Sequence, residues 1–237
     1  MASSIHPRSQ DRRLYIWAAL LIPIVVLIGF ARTYYLKGLF GTPPLPSMLV
    51  QLHGIVMSSW VILFVTQVWL VAARRTKTHQ RLGVLGAILA ALVVIVGIAT
   101  AISAAKRESS PSGSSPLQFL VIPFGDMVVF AILVGTALYF RRKMYIHKRL
   151  MLLAGINLLT PAIARIPLHF IEVGGPLAFF GLTDLCLLGF VAFDTIRNRR
   201  LHPAFLWGTL LILVSQPLRL MLANTDVWMR FATWLVT

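Results

Sequence analysis

The stretch from Gln80 to Ala105, QRLGVLGAILAALVVIVGIATAISAA, decides the fold. From Leu82 to its end it carries no charged residue. About 20 apolar residues, rising about 1.5 Å each, carry a helix across the hydrocarbon core of a bilayer. A surface helix of a soluble domain keeps a polar face, and this one has none. Lipid is the solvent that suits it.

Working outward, the same pattern recurs along the chain. Spans are predicted near residues 14–36, 47–73, 80–105, 117–140, 147–171, 176–196 and 203–223. The whole chain is 58% hydrophobic and 12% charged, where a soluble domain carries about 25% charged residues. The expected fold is therefore all-α: a polytopic bundle of about seven transmembrane helices forming one integral membrane domain over 1–237. The first apolar run is too long for a cleavable signal peptide, and no small-residue cleavage site follows it. Residues 106–116, rich in Ser, Pro and Gly, read as a flexible loop. Residues 224–237 read as an interfacial segment anchored by Trp228, Phe231 and Trp234. Gly54/Ser58 and Gly83/Ala87/Ala91 have the spacing of close helix packing.

A net charge of +15 raises the question of nucleic acid. The cations, however, sit in short clusters between apolar runs, as membrane-flanking loops do, which argues against that partner. Of the 22 Lys and Arg residues, 15 fall at the N-terminus and in the even-numbered loops, and 7 fall elsewhere. The bias places the N-terminus in the cytoplasm and the C-terminus outside, in what reads as a bacterial inner membrane. Cys186 is the only cysteine, so neither a disulfide framework nor a cysteine metal site is available.

Polar side chains at membrane depth are costly unless paired, and each is a site candidate. From the helix rise, His53 lies about 9 Å inside the outer end of its span, and Asp126 and Asp184 about 12–14 Å. Arg165 lies about 9 Å in, His169 is one turn nearer the surface, and Arg219 shares this outer layer. Six titratable groups from five spans thus meet in one layer. Asn157, Pro161, Arg165 and His169 form a polar stripe on the fifth span, which Pro161 and Pro167 should kink. The simplest arrangement pairs Arg165 with Asp126, Asp184 or both. Such a layer serves helix packing alone, or a ligand, metal or proton site. A metal held by His53, His169 and a carboxylate is chemically allowed, although a neighbouring Arg opposes a cation.

A second constellation lies at the inner side. His79 opens the third span and His147 the fifth, at one membrane level. Two imidazoles on facing helices can supply the axial nitrogens of a b-type haem. The bland alternative is that both are solvated histidines in basic loops. His6 and His202 read as loop residues. No phosphate-binding loop, nucleophile triad or paired-carboxylate motif stands out, and Gly174-Gly175-Pro176 reads as a turn.

The run His53-Gly54-Ile55-Val56-Met57-Ser58-Ser59-Trp60, followed by Ala73-Arg74-Arg75, His79 and Gly83, resembles spans two and three of the transmembrane di-haem cytochrome b family, the ascorbate-dependent ferric reductases and their relatives. That resemblance covers about 55 residues well and about 120 loosely. It implies haem b held by histidines paired across four successive helices, with His79 and His147 as the inner pair and His53 as one outer ligand. The chain departs from the pattern in span four, where Leu117 to Asp126 contains no histidine. Asp126 occupies that region, and His169 lies on the same outer side but on another helix. The chain also resembles uncharacterised bacterial multi-span proteins that share its His-Gly-x-x-Met and Gly-Asp-Met elements, which implies no activity.

Three functions remain open from sequence. One is a cytochrome-like electron carrier serving quinone, a metal or a partner protein. The second is a cofactor-free structural or assembly subunit of a larger energy-converting complex. The third is a proton-coupled transporter working through the layer of Asp126, Arg165 and Asp184.

Overall fold

The computed structural model describes residues 7–110 and 115–237. His6 and the middle of the Ser/Pro/Gly-rich loop lie outside the described residues. The described chain is helical throughout: α1 (Pro7–Phe30) running into a π-helical turn (Ala31–Tyr35), α2 (Met48–Ala72), α3 (Thr76–Lys106), α4 (Pro116–Phe119), α5 (Val121–Tyr139), α6 (Met144–Asn157), α7 (Thr160–Ile163), α8 (His169–Asn198), α9 (Pro203–Leu222) and α10 (Asp226–Val236).

Six segments are long and apolar enough to cross a membrane: Arg12–Tyr35, Met48–Ala72, Thr76–Lys106, Pro116–Tyr139, His169–Asn198 and Pro203–Leu222. The fifth span of the sequence reading is not one of them, because its helix breaks. Residues 158 and 159 form a turn between α6 and α7, and 164–168 leave the helix before α8 begins. Pro161 cannot donate to the preceding turn, and Pro167 disfavours helix at Ile166. The broken pair nevertheless follows α1 in register and in the same direction. Lys148 lies over the Tyr15 ring, Gly155 meets Ile22, and Gly29 meets Ala162. Each pair stands seven residues beyond the last on both strands of the contact, so α6 and α7 together span the depth that α1 spans.

Helix ends follow local chemistry. Ser47 caps α2 by accepting from the Val50 amide at 3.3 Å, and Thr225 caps α10 by accepting from the Trp228 amide at 3.2 Å. Gly174-Gly175-Pro176, expected to form a turn between two spans, is instead a kink inside α8, where Gly175 takes φ 51 and ψ −134. That left-handed φ suits a residue without a Cβ.

The most deeply buried span is the one containing α5, which packs on α3, α6 and α9. Phe130, Leu133 and Ala137 of α5 are fully or almost fully enclosed. The small-residue seam of α3 differs from the expected one. Gly86 packs on Leu63 and Gly97 on Met127, and Ala90 between them is buried, whereas Ala91 is exposed. At the C-terminus Trp228 turns inward and donates from its indole nitrogen to the Leu117 carbonyl at 2.8 Å. Trp234 is left exposed and Phe231 partly so. Two of the three expected interfacial anchors therefore face outward.

Candidate functional site

The inner histidines come together. His79, in the first turn of α3, and His147, in the first turn of α6, face each other with ring centres 6.3 Å apart and planes at 79°. His147 Nδ1 lies 2.8 Å from the Ala137 carbonyl at the end of α5. A carbonyl only accepts, so Nδ1 is the donor and carries a proton, which in the neutral ring leaves the lone pair on Nε2. On the other side, Gln67 of α2 donates to the His79 carbonyl at 3.3 Å, and the Nδ1 of His79 is buried without a hydrogen-bond partner. Four helices thus fix two imidazoles at the basic end of the bundle, among Arg75, Lys77, Arg81, Arg141, Arg142 and Lys143.

This geometry can be compared with what a shared metal needs. Two facing imidazoles are the donor type that a haem iron takes, and the buried, unpartnered Nδ1 of His79 is one polar atom whose hydrogen-bonding capacity the protein leaves unused. Among the described residues no group of three or more His, Cys, Asp or Glu is placed to hold a metal ion. The proposed metal held by His53, His169 and a carboxylate is therefore not assembled.

The outer layer is arranged differently from the expectation. Arg165 pairs with neither Asp126 nor Asp184. Asp126 is held instead by Arg219, whose Nη1 donates to its Oδ1. Arg219 also donates to Ser215 Oγ at 2.9 Å. Asn157 donates to the Asp126 backbone carbonyl at 3.0 Å. Gly125 makes this pair possible, because a Cβ there would collide with the Arg219 side chain. Asp184 accepts from Gln216 at 2.8 Å. Arg165 donates to its own Pro161 carbonyl at 2.8 Å and lies over the Phe30 ring at 4.9 Å. The reason for the difference is the break in span five: the backbone leaves the helix between α7 and α8 and carries Arg165 toward α1.

That break also ends the polar stripe. Asn157 is buried and Arg165 exposed, while His169 opens α8 at an exposed position. His53 and His169 make no ring contact among the described residues. The Nδ1 of His53 is buried with no hydrogen-bond partner.

One ion pair escaped the sequence reading. Arg149 of α6 grips Asp194 of α8 through Nε at 3.1 Å and Nη2 at 2.9 Å, with both side chains buried. The guanidinium also lies over Phe205 at 5.5 Å. Counting Arg149 as a loop cation hid it. The available signal was an acid, Asp194, at the inner end of one span and an Arg at the inner end of another.

Comparison with protein-family models, with curated proteins and with solved structures finds no match.

Proposed function

We propose that this protein is a b-type cytochrome-like electron carrier of a bacterial inner membrane, holding one haem between His79 and His147 near the cytoplasmic surface, with its N-terminus inside. The observation that supports the reading is the facing pair of imidazoles, held on separate helices with ring centres 6.3 Å apart. The fourth span holds no histidine to pair with His53, so the expected stoichiometry is one, in contrast to the di-haem family that spans two and three resemble.

Haem b, when bound, supplies one-electron exchange at a potential set by its axial ligands and its burial. The chain's part is to hold and tune. The Ala137 carbonyl fixes the tautomer and orientation of His147 and raises the basicity of its Nε2. Gln67 ties the first turn of α3 to α2, limiting the movement of His79. The basic rim at this end of the bundle is suited to balance carboxylates of a bound porphyrin.

The transporter reading loses its central feature, because Arg165 is not paired with either acid. Quinone, or neighbouring subunits of a larger complex, would be the exchange partners of such a carrier.

An absorption spectrum of the purified protein, oxidised and then dithionite-reduced, tests the proposal together with haem extraction for stoichiometry. Sharp reduced bands of b type at one haem per chain, lost in both His79→Ala and His147→Ala and retained in His53→Ala, are expected. A featureless spectrum from haem-replete cells, or full haem content in His79→Ala, would overturn it.

A further inference from the structure

We infer that α8 presents Asp184 to a neighbouring membrane protein: a transmembrane helix with a Lys or Arg near the middle of its span docks along the open face of α8 and closes an ion pair with that carboxylate. This inference is independent of the haem reading.

The first observation is an acid at membrane depth without a cation. Three aspartates lie inside the six spans, Asp126, Asp184 and Asp194. Arg219 holds the first and Arg149 the third, both within this chain. Asp184 has only the neutral amide of Gln216, which donates to Oδ1 at 2.8 Å, and joins no ion pair among the described residues. Gln216 is buried and Asp184 half-exposed, so a fixed amide on α9 holds the carboxylate at the surface of the bundle. Asp184 stands at the midpoint of the 30-residue α8, about 22 Å along the helix from either end. Its short side chain cannot extend to water from there, as a Lys or Arg stem can. A carboxylate in that place is costly until a partner meets it.

The second observation is the face on which it stands. α8 turns Phe179, Thr183, Leu187 and Phe190 into the bundle. Leu177, Leu185 and Leu188 are exposed, and with Gly181 and Asp184 they recur at the three- and four-residue spacing of a single helix face. A Cβ on Gly181 would meet nothing within 4 Å. A second backbone therefore has room to come close within one turn of the carboxylate, as small residues allow between helices in lipid.

Charge complementarity decides the occupant. Copies of this chain related by an axis along the membrane normal bring like faces together, which sets one Asp184 against the other. Nor does a copy offer a free cation at the right depth. Arg149 and Arg219 are committed to Asp194 and Asp126. Arg165 precedes the start of α8, half the length of that helix from Asp184. The other Lys and Arg residues lie outside the spans or within two turns of a span end. The basic side chain therefore comes from another protein.

The probe is a synthetic transmembrane peptide of leucine and alanine with a single Lys at its centre, and the comparator is the same peptide with Leu there. Energy transfer from a dye at the C-terminus of the full-length protein to a dye on the peptide, in phosphatidylcholine vesicles, measures association. The Lys peptide should bind at least about tenfold more tightly than the Leu peptide, as expected for a charge-assisted hydrogen bond. Asp184→Asn, which leaves Gln216 an acceptor, should remove most of that preference. Gly181→Leu should weaken binding of the Lys peptide by filling the face while leaving the charge in place. Thermal unfolding of both variants separates lost docking from lost fold. Equal binding of the two peptides, or a preference that survives in a folded Asp184→Asn protein, overturns the inference and leaves Asp184 an acid that faces lipid. Self-association of the unmodified protein that depends on Asp184 also overturns it, by making a second copy the occupant. The peptide preference in His79→Ala should be unaltered, so failure of the haem proposal would leave this result intact.

Discussion

Arg219 reaches from α9 to Asp126 on α5 and closes an ion pair in which both side chains are shielded almost completely. A charge in such a place is tolerable only while its partner is present. Gly125, next to the acid, leaves the space that the Arg219 stem occupies, so the pair is as much a packing arrangement as an electrostatic one. It joins the central helix to the penultimate one.

Removing one member should therefore cost more than removing both. Asp126→Asn or Arg219→Gln alone is expected to destabilise the folded protein by about 3–5 kcal/mol, because a buried charge is left unpaired. Asp126→Leu combined with Arg219→Met should recover most of that loss. Thermal unfolding in a single detergent measures it, and a double variant less stable than either single one would contradict the account.

The Arg149–Asp194 pair makes a more specific demand. Its three N–H···O contacts use the planar fork of the guanidinium, which an ammonium cannot reproduce. Arg149→Lys keeps the charge, yet is expected to cost about 1.5–3 kcal/mol through the lost charge-assisted bonds. Equal stability of the two proteins, measured by chemical or thermal unfolding, would show that charge alone matters there.

These two pairs show where sequence stops being legible. Apolar length reveals six of the seven expected spans, because lipid imposes that feature residue by residue. The facing of His79 and His147 was also legible, since each lies at the start of a span on the same side. Choosing which Arg meets which Asp was not. That choice depends on rotation about each helix axis and on the break after Asn157, which moves Arg165 out of the layer geometry a continuous helix would give. Trp228 illustrates the same limit: its spacing suits an interface anchor, but the carbonyl of Leu117, in the one-turn helix α4, draws it inward.

Gly29 tests the in-register contact between α1 and the broken span. The Ala162 backbone occupies the place where a Cβ would stand, so Gly29→Ala must push α1 away from α7. The expected cost is about 1–3 kcal/mol, typical of overpacking. Gly135→Ala, where a Cβ meets nothing within 4 Å, should be neutral or slightly stabilising by helix propensity. Unfolding midpoints of the two variants provide the comparison. A Gly29→Ala protein as stable as the Gly135→Ala one would mean that α1 and α7 are not in direct backbone contact.

His202 gives the protein a pH dependence with a definite sign. It precedes α9 and caps it, its Nδ1 accepting from the Ala204 amide at 3.1 Å, which only an unprotonated nitrogen can do. Partial burial pushes its pKa below the usual 6.5, and the nearby guanidinium of Arg149 adds to this, while Asp194 opposes it. The folded state therefore binds this proton less readily than the unfolded chain. Stability from the cap is complete above about pH 6.5 and declines as pH falls through the lowered folded-state pKa. His202→Asn supplies a cap that does not titrate in this range. Unfolding midpoints taken from pH 8 to pH 5 should fall more steeply for the unmodified protein than for His202→Asn. Parallel curves would show that the imidazole does not cap α9 in its neutral form.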